Sequence, residues 1–87
     1  MGGANAELEI VLEALDRLDV DVRCERCGGG GGGLCILKGK KIVFIDLDAD
    51  EITRLECALQ ALACLPGAET IFLPPATRER VDRLRKP

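Results

Sequence analysis

Apolar residues recur at helical spacing near the start of the chain. Five of them share one helical face, at positions i, i+3, i+4 and i+7: Leu8, Val11, Leu12, Leu15 and Leu18. This pattern predicts a helix over residues 6–18, with Asn5 as a suitable N-cap. Residues 1–5 are then expected to be a flexible start.

After this first helix, apolar residues recur at every second position. Val20, Val22 and Cys24 alternate with charged residues, which is typical of a strand buried on one face. Residues 28–33 are six consecutive glycines, and glycine loses more backbone entropy on ordering than any other residue. We therefore expect a flexible glycine loop over 28–33. A phosphate-binding loop is disfavoured, because its glycines should open a helix, whereas these precede a strand.

The next stretch predicts a β-hairpin. Its strands cover residues 34–38 and 41–46, and its turn is expected at Gly39–Lys40. The run 42–45 is apolar at every position. Such a run favours a central strand that is covered on both faces.

Helical spacing returns after the hairpin and predicts a second helix over residues 49–64. Asp48 and Glu51 resemble a capping pair at its start, and Pro66–Gly67 ends it. Its apolar face is expected to contain six residues: Ile52, Leu55, Ala58, Leu59, Leu62 and Leu65.

The remainder predicts a short strand and a last helix. Residues 70–73 form the expected fourth strand, parallel to the strand over 41–46 after a right-handed crossover. Pro74–Pro75 would then open a third helix, whose narrow apolar stripe is Val81 and Leu84 with Ala76 or Thr77. The predicted fold is α+β in the order α-β-β-β-α-β-α. It is a small mixed sheet, an antiparallel hairpin plus one parallel strand, covered by helices.

Composition narrows the classes of function. The 87 residues are one domain, residues 1–87. Two phenylalanines are the only aromatic residues, so side chains that stack on single-stranded nucleic acid are scarce. The net charge of −3 disfavours a polyanionic partner, and no apolar run approaches the length of a membrane span. We expect neither nucleic-acid nor membrane binding.

Charge is unevenly distributed along the chain. Segment 7–21 contains six acids and one base, whereas segment 78–86 contains five bases and two acids. One interpretation is that the two ends attract each other across the fold. The alternative is a small anionic partner bound at the third helix.

The chain has no histidine, which removes the commonest general base and most catalytic zinc sites. The best candidate for chemistry is the pair Cys24-x-x-Cys27, with Cys35 as a third thiol. Three interpretations remain open: a zinc site that uses Cys24, Cys27 and Cys35, a redox dithiol, or incidental small apolar residues. A fourth zinc ligand would have to come from Cys57 or Cys64.

Two further groups of side chains have structural explanations. Cys57 and Cys64, with Ala61 between them, form a stripe of small residues on the back of the second helix, which indicates a second packing surface. The acids of segment 46–51 could bind a hard cation, although helix capping also explains them.

The hairpin and the following helix resemble a known family. The run Gly33-Leu34-Cys35, then Lys38 to Asp46 and Asp48 to Leu65, is similar to the hairpin-then-helix core of small zinc peptidases of the ImmA/IrrE type. In those peptidases the helix contains His-Glu-x-x-His, whereas the equivalent stretch here, 59–63, has no ligand and no base. The chain also resembles short bacterial proteins of unknown function with a glycine-rich segment and a closing Leu-Pro-Pro, here 73–75. The resemblance implies a fold and no peptidase activity.

These observations predict a small cytosolic protein that is an accessory or interaction domain and not an enzyme. The first twenty residues contain acids throughout and no apolar segment typical of a secretory signal, so we expect reduced thiols in the cytoplasm. The alternatives are a zinc-binding protein and a thiol redox protein. The expected partner is another protein, or a second copy bound through the second or third helix.

Overall fold

The computed structural model describes residues 3–30 and 32–85. The helices are α1 (Gly3–Arg17), α2 (Glu51–Ala63) and α3 (Pro75–Arg85), and a 3-10 turn covers Ala68–Thr70. The strands are β1 (Asp21–Glu25), β2 (Gly32–Leu37) and β3 (Lys40–Asp46). The α+β class is confirmed.

A mixed sheet in the order β1-β3-β2 is the centre of the fold. β2 and β3 form the antiparallel hairpin, and β1 runs parallel to β3. The predicted combination of one hairpin and one parallel strand is therefore confirmed, with β3 in the middle. The parallel strand is β1 and not the segment 70–73, because β1 and β2 occupy both edges of β3.

The predicted fourth strand over residues 70–73 is wrong. Gly67 adopts a φ of 93° and begins the 3-10 turn, in which the Thr70 N–H donates to the Gly67 carbonyl oxygen at 2.9 Å. The Arg78 guanidinium then donates to the Ile71 carbonyl. Leu73 is buried against the core, whereas Phe72 is 76% exposed. The segment thus contributes one core side chain without pairing in the sheet.

The hairpin turn lies one residue earlier than the predicted turn at Gly39–Lys40. Leu37 pairs with Lys40, so Lys38 and Gly39 form a two-residue loop. Their φ angles are 52° and 80°, as in a type I′ turn, whose twist matches that of the strands it joins.

All helical packing lies on one face of the sheet. Val43 and Ile45 belong to the single hydrophobic core, with apolar residues of α1, α2 and α3. Because side chains alternate along a strand, Ile42 and Phe44 lie on the opposite face, which we call the helix-free face. The prediction that this strand is covered on both faces is confirmed only in part: the helices pack against the Val43 face, whereas on the opposite face Ile42 is buried and Phe44 is half-buried.

The helix boundaries differ from those predicted. α1 begins at Gly3, so Asn5 lies inside it; residues 1–2 of the predicted flexible start lie outside the described residues. α2 begins at Glu51 and its N-cap is Asp50, whose carboxylate accepts a hydrogen bond from the Thr53 N–H at 2.7 Å. The cap is therefore Asp50 and not Asp48.

The apolar face of α2 is confirmed except at one position. Ile52, expected in the core, is 63% exposed. The other five predicted residues are buried: Leu55, Ala58, Leu59, Leu62 and Leu65. In α3, Thr77 and Val81 are buried, but Leu84 is 45% exposed, so the stripe is shorter than predicted.

The two ends of the chain pair with each other, as the first interpretation of the charge pattern predicted. The Arg80 guanidinium lies 3.1 Å from the Glu7 carboxylate. The Thr77 hydroxyl donates to the same carboxylate, also at 3.1 Å. These contacts join α1 to α3.

Candidate functional site

The cysteines predicted as metal ligands do not converge. Cys24 is in β1 opposite Ile45, whereas Cys35 is in β2 opposite Ile42. The two cysteines therefore lie on opposite edges of the sheet and on opposite faces, with Cα atoms about 14 Å apart at ordinary strand spacings. Sulfurs bound to one zinc ion lie about 4 Å apart. The fold therefore does not bring Cys24 and Cys35 together, and a zinc site that uses Cys24, Cys27 and Cys35 stays a prediction.

The surroundings of Cys27 do not favour its thiolate form. Partial desolvation, then the negative charges of Asp46, Glu25 and Asp48, raise the pKa of the Cys27 thiol. A reactive thiol or a metal ligand needs the opposite shift, because the thiolate is the active form. All five cysteines are free thiols. In the part of the chain that the structure describes, no three His, Cys, Asp or Glu residues are close enough to hold a metal ion.

The glycine segment, residues 28–33, has a structural role at the end of β3. After β1 ends at Glu25, the N–H groups of Cys27 and Gly29 bond to Asp46 at the carboxyl end of β3, and β2 begins at Gly32 on the other side of that strand. The Asp46 side chain is fully buried and accepts hydrogen bonds from the N–H groups of Cys27 at 2.8 Å, Gly29 at 2.7 Å and Asp48 at 2.9 Å. One carboxylate at the end of β3 thus organises the crossing.

A second carboxylate binds the same crossing from outside. Asp48 accepts from the Gly28 N–H and from the Arg26 guanidinium, each at 3.0 Å. Successive backbone N–H groups of this kind make an anion-binding concavity in many proteins. Here the chain's own carboxylates, Asp46 and Asp48, accept these N–H groups.

The predicted loop limits of 28–33 are also corrected. Gly32 and Gly33 belong to β2, and Gly31 lies outside the described residues. A Cβ on Gly32, whose φ is 89°, would lie 2.0 Å from the Phe44 carbonyl oxygen. Only glycine fits there. Mobility of the remaining glycines stays a prediction.

The helical surfaces expected to bind a partner are partly used within the chain. The small-residue stripe of α2 lines a narrow groove against β2, where Cys57, Ala61 and Cys64 face Gly33 and Leu34; Ala61 is buried. The arginines of α3 all form ion pairs: Arg78 with Asp82, Arg80 with Glu7, Arg83 with Glu79 and Arg85 with Glu69. No arginine of α3 is left without a carboxylate for an anionic partner.

The two edges of the sheet differ sharply in charge. β1, with the sequence Asp-Val-Arg-Cys-Glu, has three charged residues of five. β2, with the sequence Gly-Gly-Leu-Cys-Ile-Leu, has none of six. Charged residues on an edge strand prevent pairing with other chains. β1 is therefore protected, whereas β2, bonded to β3 on one side only, is open to strand addition.

Apolar side chains surround this open edge. Ile36 is 64% exposed and Leu37 is 51% exposed. Cys35 and Leu37 share the helix-free face with Ile42 and the half-buried Phe44. We call β2 with these side chains the β2 edge. Its apolar surface makes it the strongest candidate for a functional site in the described residues.

Comparisons of this chain with family models, curated proteins and solved structures found no match. The resemblance to the zinc peptidases and to the short bacterial proteins therefore stays a prediction. Within α2, the stretch equivalent to the peptidase motif contributes Leu59, Ala61 and Leu62 to the core. Among the described helices, none is both long and apolar enough to cross a bilayer.

Sequence reasoning missed Asp46 and the β2 edge. Asp46 follows four apolar residues and precedes three more acids within segment 46–51, a pattern that favours helix capping. The difference in charge between the strands is visible in the sequence. Which strands were edges depended on the pairing, and that was not visible.

Proposed function

We propose that this chain is a non-enzymatic cytosolic interaction domain that binds a protein partner by strand addition at the β2 edge. The observation that carries the proposal is the absence of charge from Gly32 to Leu37 on an edge strand with exposed Ile36 and Leu37. In strand addition, main-chain hydrogen bonds supply affinity and alternate side chains supply specificity. The β2 edge offers both.

A binding role fits the remaining features of the molecule. The chain has no histidine. Desolvation and the nearby carboxylates raise the pKa of the Cys27 thiol, which disfavours the reactive thiolate. The zinc-binding and redox alternatives gain no support from the separation of Cys24 and Cys35 across the sheet. Free thiols are compatible with a reducing compartment.

Affinity capture with a matched pair of variants tests the proposal. Ile36→Lys places a charge on the β2 edge, whereas Ile52→Lys places the same charge on α2. The two positions are equally exposed, at 64% and 63%, so both variants should fold. We expect wild-type protein and Ile52→Lys to retain the same partner, and Ile36→Lys to lose it.

Circular dichroism of each variant confirms that its fold is intact before capture. If all three proteins retain the same partners, or if Ile52→Lys loses them while Ile36→Lys does not, the β2 edge is not the binding surface and the proposal fails.

A further inference from the structure

We infer that the partner at the β2 edge is a second copy of this chain, paired antiparallel through β2 about a two-fold axis at Cys35. This inference rests on the proposed function and identifies its partner. Two three-stranded sheets would become one sheet in the order β1-β3-β2-β2-β3-β1. The outer edges of that sheet are the charged β1 strands, so addition stops at the dimer.

The hairpin turn determines which backbone groups are free. Leu37 and Lys40 flank the two-residue turn and form a hydrogen-bonded pair, as in hairpins of this type. Hydrogen-bonded and non-hydrogen-bonded pairs alternate along an antiparallel ladder. Cys35 therefore bonds inward to β3, whereas Leu34 and Ile36 direct their N–H and C=O groups outward.

With a two-fold axis at Cys35, all of these outward N–H and C=O groups form hydrogen bonds between the two copies. Leu34 of one copy pairs with Ile36 of the other, in both directions, through main-chain hydrogen bonds. The two Cys35 residues then face each other as a non-hydrogen-bonded pair, with Cα atoms about 4.5 Å apart. Ile36, the most exposed side chain of the edge, gains an apolar neighbour.

Side-chain size also suits this register on the helix-free face. Leu37 of one copy lies opposite Gly33 of the other, which has no side chain to obstruct it. Gly33 is itself paired with Phe44. Leu37, which is 51% exposed, can therefore reach across Gly33 to the half-buried Phe44 ring of the second copy.

Charge complementarity favours the antiparallel arrangement. The hairpin end of the sheet contains Lys38, Lys40 and Lys41, none of which forms an ion pair among the described residues. The opposite end contains the acidic segment 46–51 and Glu25. Antiparallel pairing places Lys38 beside Gly32 and hence the basic end of each copy next to the acidic end of the other. Parallel pairing would bring like charges together.

Sedimentation equilibrium of the full chain tests the inference directly. We expect a monomer–dimer equilibrium whose dissociation constant rises at least about tenfold in Ile36→Lys and is unchanged in Ile52→Lys. Lys38→Glu should weaken the dimer as well, and added salt should weaken the wild-type dimer, because these charges are exposed to solvent. Wild-type protein that remains a monomer at about 1 mM overturns the inference.

Disulfide trapping tests the register independently. One variant keeps Cys35 as its only cysteine, and its matched control keeps only Cys24, on the β1 edge. Two thiols of adjacent copies lose two electrons and two protons to oxidised glutathione and form one disulfide. We expect a covalent dimer from the Cys35 variant, since Cα atoms at that separation lie within disulfide range, and monomer from the Cys24 variant. Equal trapping of both variants overturns the register.

The two proposals fail in distinguishable ways. A monomeric wild-type protein that still captures another protein, and loses it on Ile36→Lys, contradicts the second copy but supports the interaction domain. A chain that neither dimerises nor binds through Ile36 contradicts both.

Discussion

Asp46 holds the connection between β1 and β2, where residues 27–29 bond to the end of β3. Its buried carboxylate accepts hydrogen bonds from three backbone N–H groups, so its removal leaves partly buried donors without an acceptor. An unsatisfied buried donor costs about 1–3 kcal/mol. The carboxylate therefore stabilises a connection that glycine's backbone entropy would otherwise oppose.

We predict that Asp46→Ala lowers the free energy of unfolding by about 2–3 kcal/mol. Asp48→Ala is the comparison, because Asp48 binds the same segment through the Gly28 N–H and pairs with Arg26, but through contacts that solvent reaches; we expect it to cost about 1 kcal/mol or less. Urea unfolding measures both. Equal losses in the two variants would show that burial of Asp46 is not what holds the crossing.

Gly32 is required for a different reason, the close approach of backbone to backbone. We predict that Gly32→Ala costs at least about 2 kcal/mol, since its Cβ collides with a carbonyl of the central strand and its φ is positive. Gly30→Ala is the matched control, because a Cβ on Gly30 would have no atom within 4 Å and Gly30 does not have a left-handed φ. It should be neutral or stabilise the fold by about 0.4–1 kcal/mol. Thermal unfolding that ranks Gly30→Ala as the worse change contradicts this account.

At the scale of the element, the start of α2 depends on protonation. Hydrogen bonds to Thr53 lower the pKa of Asp50 below its usual 3.8, because the ionised form is the better acceptor at a helix N-terminus. A pKa that is lower in the folded state gives stability that is present above the unfolded pKa. That stability is lost as the pH falls through the folded value.

Asp50→Asn isolates this effect, since asparagine caps a helix without ionising. We predict that the wild type has the higher melting temperature at neutral pH and that its advantage disappears below pH 3.8. Melting curves of both proteins across that range are the measurement. A constant difference between them would mean that the Asp50 charge does not stabilise α2.

At the scale of the whole molecule, the helices form the hydrophobic core against one face of the sheet. Leu62 is fully buried between the helices and the sheet, whereas Phe44 lies half-buried on the helix-free face. The aromatic side chain of the central strand is thus not the centre of the core. The arrangement leaves the sheet a second face that no helix in the described residues covers.

We predict that Leu62→Ala costs about 3–4 kcal/mol, near the middle of the range for buried leucines. Phe44→Ala should cost less, about 1–3 kcal/mol, because part of its surface is already exposed to water. Urea unfolding at low protein concentration compares them without dimer formation. A larger loss at Phe44 would mean that this face is covered in solution.

The sequence by itself determined which segments are helices and strands near the core. In α1, α2 and the hairpin, one face of each element is buried. Apolar residues therefore recur along the sequence at the period of that helix or strand. The apolar run 42–45 also identified the central strand. Glu7 and Arg80 were assigned to attracting ends of the chain from charge alone.

Only the tertiary structure decided which segments pair and which side of the sheet is covered. Segment 70–73 has a strand-like composition, but β1 occupies the edge it would need. Cys24 and Cys35 are eleven residues apart in the chain, yet β3 lies between them. Pairing depends on contacts distant in sequence, which no local pattern records. The same reason hid the β2 edge: a strand becomes an edge only through the position of its neighbours.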